Sequence, residues 1–289
     1  MRNSRALNQR NNRMTTVRKI LLGSLVPAGL LVLWWAMSHR SAVVPSIGSV
    51  IDVLAHPLTC PPDLDTTSLA FGAYISILRV VLGFSLAAVS GITAGFFIGL
   101  SRTGRETLAP TMSVALAISP IAWLPVSIIV FGLSTPASAL FGHEAWRHNT
   151  LDQLSFAVVA VIWYGAFFPI ALNSAAGVRG VRRAHVETVR ALGAGRMQTL
   201  TKVILPASTP AIFTGLRLGA GIAWRVIVAA EIFPGTRSGL GYMISASHEI
   251  GEYRYAFAAI VVIGAIGLVL DGGFRLLARR VGHWQPKER

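Results

Sequence analysis

The sequence predicts an all-α, polytopic membrane protein with about six transmembrane helices. Three observations carry this. Hydrophobic residues make up 53% of the 289 and charged residues only 13%, against about 25% charged in soluble domains, and mean hydropathy is +0.59. Uncharged stretches long enough to cross about 30 Å of hydrocarbon recur along the chain. Lys and Arg gather in alternate connections between those stretches, the bias that sets the orientation of membrane helices.

Residues 1–16 are polar and rich in Asn and Arg, and read as a disordered terminus. The first span is expected near 20–37. Its apolar run is too long for the h-region of a signal peptide, and Ser38-His39-Arg40 makes a poor cleavage site. It therefore reads as a retained helix, with Trp34 and Trp35 as an interfacial anchor. Further spans are expected near 80–100, 108–133, 154–178, 209–232 and 255–274. Together they define a membrane domain over 17–281, with 282–289 as a tail.

The net charge of +14 could suggest nucleic acid, but its distribution argues otherwise. Arg2, Arg5, Arg10, Arg13, Arg18 and Lys19 precede the first span, and Arg102 and Arg105 follow the second. Arg179, Arg182, Arg183, Arg190, Arg196 and Lys202 follow the fourth, and Arg275, Arg279, Arg280, Lys287 and Arg289 end the chain. The intervening loops hold Arg40, Arg79, Arg147, Arg237 and Arg254, diluted by Asp52, Asp63, Asp65, Glu144, Asp152, Glu249 and Glu252. The positive-inside rule then puts both termini in the cytoplasm. Cys60 is the only cysteine, so neither an intramolecular disulfide nor a cysteine metal cluster can form. No internal repeat stands out that would support an inverted-repeat transporter.

The longest basic interval carries the most specific motif. Glu187-Thr188-Val189-Arg190-Ala191-Leu192-Gly193 is followed ten residues on by Val203-Ile204-Leu205-Pro206. This resembles E-A-A-x-x-x-G-x(9)-I-x-L-P, the signature of permease subunits of bacterial ABC importers. Glu187, Gly193, Leu205 and Pro206 match; Thr188, Val189 and Val203 are small or β-branched replacements. Gly193 is expected to permit a tight turn between two short helices, with φ > 0. The resemblance runs from about Pro45 to Trp284 and is nearest the branch that carries nitrate, bicarbonate, taurine and alkanesulfonates. Ser76 to Phe84, Ile121-Ala122-Trp123-Leu124-Pro125, Thr214-Gly215-Leu216-Arg217, Val228-Ala229-Ala230-Glu231 and Gly239-Leu240-Gly241 share that flavour.

The resemblance implies a type I ABC importer permease architecture in the bacterial inner membrane. It implies that 179–206 docks on a separate ATPase through Glu187, Thr188, Val189, Gly193, Val203, Leu205 and Pro206. It also implies a permease dimer fed by a periplasmic or lipid-anchored solute-binding protein, with a small anion (nitrate, taurine or an alkanesulfonate) as cargo. The chain itself is expected to be no enzyme and to hold no catalytic residue, metal or cofactor. ATP and Mg would sit on the partner, since Gly193-Ala194-Gly195 lacks the strand and the Gly-Lys-Ser/Thr of a phosphate loop. The rivals are a self-sufficient channel or secondary transporter, and an intramembrane enzyme; neither gives a reason for the 187–206 pattern.

Seven residues are candidates for the translocation pathway: Pro120, Trp123, Pro125, Arg217, Trp224, Arg225 and Glu231. The two prolines each remove a backbone donor within the third span, and a broken helix at membrane depth is tolerated against protein or a water-filled cavity. A kink used for packing explains them equally well. Charges inside a span cost about 2.5–3.5 kcal/mol each and face a cavity or a partner. At 100° per residue Arg217, Trp224 and Glu231 share one side of the fifth span. Arg217 and Glu231 lie about 21 Å apart along the axis and cannot pair. No acidic residue lies within the first four expected spans, so the arginines lack an evident counter-ion. Arg217 belongs to a Gly-Leu-Arg common across the branch and reads as structural. Arg225 departs from the family pattern and points to an anionic cargo. The loop from Gly142 to Asn149 holds two histidines and a glutamate, and reads as a contact for the binding protein rather than a metal site.

Overall fold

A computed structural model describes residues 23–41, 43–61, 67–132, 134–136, 150–233 and 238–281. The expected disordered terminus, the 142–149 loop and the 282–289 tail lie outside the described residues. Those described are helical: α1 (23–40), α2 (Ile47–Ala55), α3 (Leu69–Leu100), α4 (Arg102–Ala117) and, after a 3₁₀ turn at Pro120–Trp123, α5 (Leu124–Phe131). Then come α6 (Phe156–Arg179), α7 (Arg183–Ala191), α8 (Arg196–Ile232), α9 (Leu240–Ile250) and α10 (Tyr253–Val281).

Among the described residues α3, α6, α8 and α10 are long and apolar enough to cross a membrane, and α4 with the 120–131 segment can make a fifth span bent by 93°. The first expected span falls on α1, whose start lies outside the described residues.

Three boundaries differ from expectation. The second span begins at Leu69 rather than 80, because Ser68 caps it by accepting from the Phe71 N–H and Arg79 is buried within it. The third is two helices. The chain turns at Ile118-Ser119, where ψ is 127° at both residues; Ser119 precedes Pro120, and a residue before Pro avoids the α region. The Ala115 carbonyl there accepts from the Ile118 N–H at 3.2 Å and from the Tyr164 hydroxyl at 2.8 Å.

The fifth span is not preceded by a second short helix. α8 runs unbroken through 37 residues, with a π turn at Leu200–Ile204 whose closing bond runs from the Leu205 N–H to the Leu200 carbonyl. Pro206 explains the widened turn: it has no N–H to give, and its ring would strike the carbonyl four residues back.

α3, α6 and α8 form the core. Without a hydrophobic force between helices in lipid, small residues let backbones approach and dispersion do the work. Gly83, Gly91, Gly95 and Gly99 of α3 lie against Ile162, Ile170, Ser174 and Val178 of α6. The contact is so close that a Cβ on Gly95 would stand 2.5 Å from the Ser174 Cβ. On the other side of α6, Gly215 and Gly219 of α8 meet Asn173 and Ile170. Trp34 also packs within the fold. Its Nε1 donates to the Pro45 carbonyl at 3.1 Å and its ring lies 5.4 Å from Phe257.

Candidate coupling surface and charged groove

α7 and the start of α8 form an exposed ledge at the end of the bundle where α3 and α6 terminate. None of α7's residues is buried. It ends in a Schellman turn: the Gly193 N–H donates to the Arg190 carbonyl at 2.9 Å and the Ala194 N–H to the Val189 carbonyl at 3.1 Å. That geometry needs a left-handed residue at its pivot, and Gly193 has φ +86°. A Cβ there would meet nothing within 4 Å, so the backbone angle and not space demands glycine.

After the turn, Gln198 Oε1 accepts from the Gly195 N–H at 3.2 Å to start α8. Two shallow depressions flank α7. Thr188, Val189, Val203 and Pro206 line one; Glu187, Arg190 and Ile204 line the other. Leu192 and Met197 stand out from the ledge, 82% and 70% exposed, and Leu205 is exposed on α8 beside it. The segment thus brings the motif residues onto one surface with unpartnered apolar side chains among basic ones, a composition suited to a protein partner.

The pathway candidates divide into three groups. Arg217, Trp224 and Arg225 line a groove of about 560 Å³ between α8 and α10, with Gly221, Gly267 and Asp271. Trp224 is a wall of it, buried, with Nε1 donating to the Ile263 carbonyl at 3.1 Å. Arg217 has the counter-ion that the first four spans did not offer. Asp271 of α10 accepts on Oδ1 from its Nε at 2.9 Å and from its Nη2 at 2.8 Å. The other carboxylate oxygen accepts from Arg275 Nε at 2.8 Å. Arg225 donates through Nε to the carbonyl of Gly221, one turn back, at 3.1 Å.

Pro120, Trp123 and Pro125 belong to the broken third span instead. The Trp123 ring lies 5.4 Å from Tyr164 of α6, and Pro120 packs on Gly165. They are not among the groove's lining residues.

Glu231 is neither in the groove nor near Arg217. It is fully buried at the far end of α8, and Arg79, taken from the sequence as a loop charge, is its partner. Arg79 Nη1 lies 2.7 Å from Glu231 Oε1, with side-chain exposures of 1% and 0%. Ser76 Oγ donates to the carboxylate at 2.8 Å and the Gly241 N–H at 3.0 Å. Arg79 also donates to the Gln153 carbonyl at 2.6 Å and the Ser238 carbonyl at 2.9 Å. Glu231 is therefore a lock joining α3, α8, the entry to α6 and the start of α9. Gly239 (φ +113°) and Gly241 are glycine because a Cβ would fall 2.3 Å from the Glu231 carboxyl carbon or 2.4 Å from the Val228 carbonyl oxygen. The Ser76-to-Arg79, Glu231 and Gly239-Leu240-Gly241 runs, separate in sequence, are one structural unit.

Apolar helices long enough to cross a membrane, with an exposed helix–turn ledge at one end of the bundle, define a polytopic membrane protein. Residues 91–283 match the family described as the binding-protein-dependent transport system inner membrane component. The chain belongs to that family. It is 32% identical over 270 residues to the taurine transport system permease protein of Escherichia coli, covering 92% of this chain and 90% of the relative. It is also 32% identical over 264 residues to the bicarbonate transport system permease protein of Synechococcus elongatus, covering 88% of each. In fold it is similar to the inward-facing MetNI methionine ABC transporter, with TM-score 0.59 and 17% identity over 73% of this chain and 94% of that one. This protein is thus a multi-pass inner-membrane permease subunit of an ABC importer; the ATPase is a separate polypeptide.

Proposed function

We propose that this permease passes a small oxyanion of the nitrate, bicarbonate or sulfonate class along the α8/α10 groove. The observation that carries this is the groove's charge. Arg217, Arg225 and Asp271 line one groove and fall within helices long and apolar enough to cross a membrane, where ionised groups are stable only against protein or water. That face is therefore turned from lipid, toward a water-filled path between two copies of the chain. The names of the taurine and bicarbonate relatives support the same cargo class.

A solute-binding protein delivers the anion at the α9 end, and the separate ATPase, with its ATP and Mg, engages Glu187, Thr188, Val189, Gly193, Val203, Leu205 and Pro206. Both termini then lie in the cytoplasm. Arg225 is about 10 Å inside the far end of α8, and its guanidinium offers a forked pair of donors to an oxyanion.

The test is uptake by the full transporter in proteoliposomes with its binding protein. Arg225→Leu is expected to insert normally and lose most anion uptake, with binding-protein affinity unchanged; Arg225→Lys falls between. Parental uptake by the leucine variant would remove Arg225 from the pathway.

A further inference from the structure

The groove contains an anion already, the Asp271 carboxylate. Arg217 holds one of its oxygens and Arg275 the other. None of the three is deeply buried: side-chain exposures are 43% for Arg217 and 36% for Asp271 in their pair. This contrasts with the Arg79–Glu231 lock, at 1% and 0%.

A buried pair is immobile because parting it strands charges in a low dielectric. A half-exposed pair beside a groove exchanges partners at small cost, since solvent screens each charge as it leaves. Eight residues further along α8, about 12 Å, Arg225 lines the same groove. Among the described residues its terminal amino groups have no acceptor.

We propose that Asp271 is a built-in stand-in for the cargo: its carboxylate occupies the Arg217 anion site when the groove is vacant, and a translocating oxyanion must displace it. The inference rests on the oxyanion reading and adds a role that reading does not contain.

The chemistry matches. Asp271 Oδ1 accepts from both Nε and Nη2 of Arg217, and an oxygen of a carboxylate, a nitrate or a sulfonate can take that same place. The exchange keeps an anionic oxygen on Arg217 throughout, while the displaced Asp271 keeps its bond to Arg275. Because Asp271 is tethered, it returns as soon as the cargo leaves. Stray anions then face a site already filled, while Arg225 stays available as the point of first contact.

A pair that merely staples α8 to α10 predicts the opposite response to mutation, and this makes the proposal testable. The full permease–ATPase complex in nanodiscs is titrated with potassium nitrate, and separately with sodium methanesulfonate, against potassium chloride at matched ionic strength. The readout is the anion concentration giving half the maximal shift in thermal melting.

Asp271→Asn removes the competitor. It is expected to lower that concentration at least about tenfold, the equivalent of one lost competing charge-assisted contact. Asp271→Glu keeps a carboxylate and stays near the parent, and Asp271→Asn/Arg217→Gln loses the gain. Unchanged or weaker anion binding in Asp271→Asn, with or without a fall in melting temperature, overturns the proposal. Failure of the oxyanion reading looks different: the parent complex with its binding protein would take up neither nitrate nor sulfonate, whatever the titration of the asparagine variant shows.

Discussion

Removing the Arg79 guanidinium should be the most damaging single change to the fold outside the glycine contacts. Glu231 would keep Ser76 and the Gly241 N–H but lose the cation at 2.7 Å that balances its charge in a site with no exposure. Removing one partner of such a pair costs about 3–5 kcal/mol. Arg79→Met is the suitable variant, filling the stem volume without the charge. Glu231→Gln should cost less than Arg79→Met, because Arg79 retains the Gln153 and Ser238 carbonyls. The double variant, with no net charge left in the site, should be more stable than Arg79→Met alone. The cycle should therefore show coupling of at least about 2 kcal/mol, well beyond the 0.3–0.5 kcal/mol within which independent sites add. Melting of the detergent-purified permease, followed by intrinsic fluorescence, measures all four corners. If the two single effects simply add, the pair is not a lock, and the account of why α3, α8 and α9 meet here is wrong.

Three further outcomes follow. Gly193→Val should insert normally but lose ATPase co-purification and transport, since a left-handed L-residue costs about 1–2 kcal/mol, whereas Gly193→Asn, which tolerates that region, should retain most of both; equal behaviour would detach the turn from coupling. Gly95→Val should lower the yield of folded protein by forcing α3 from α6, where Ser174 and Ala171 leave no room for a Cβ, at about 1–3 kcal/mol or more; the same change at Gly272, which has nothing within 4 Å, should be mild. Reporter fusions after residues 105 and 195 should give cytoplasmic signals and those near 60 and 245 the opposite, and a periplasmic signal at 195 would place the docking ledge away from ATP.

The sequence by itself determined whatever depends on neighbours along the chain. Hydropathy placed the second, fourth, fifth and sixth expected spans on the long apolar helices α3, α6, α8 and α10, because transfer into lipid is summed over local windows. It missed the early start of α3 at Leu69 and the break in the third span. The Gly193 turn was legible because a left-handed pivot is a property of one residue and the helix it ends. What the tertiary structure decided was which charges meet. A lone arginine lowers the hydropathy of its window, so Arg79 read as the edge of a loop. In the fold it lies inside α3, its charge balanced by a carboxylate 152 residues away. Arg217 looked unpaired because its counter-ion sits 54 residues on, in another helix. The helical wheel put Arg217 and Glu231 on one side, yet the first opens on a groove and the second is sealed in the core. A wheel gives angles about one axis and carries no information about the helices that pack around it. The cost of burying charge requires that each find a partner, and only the packing of α3, α8 and α10 fixes which partner that is.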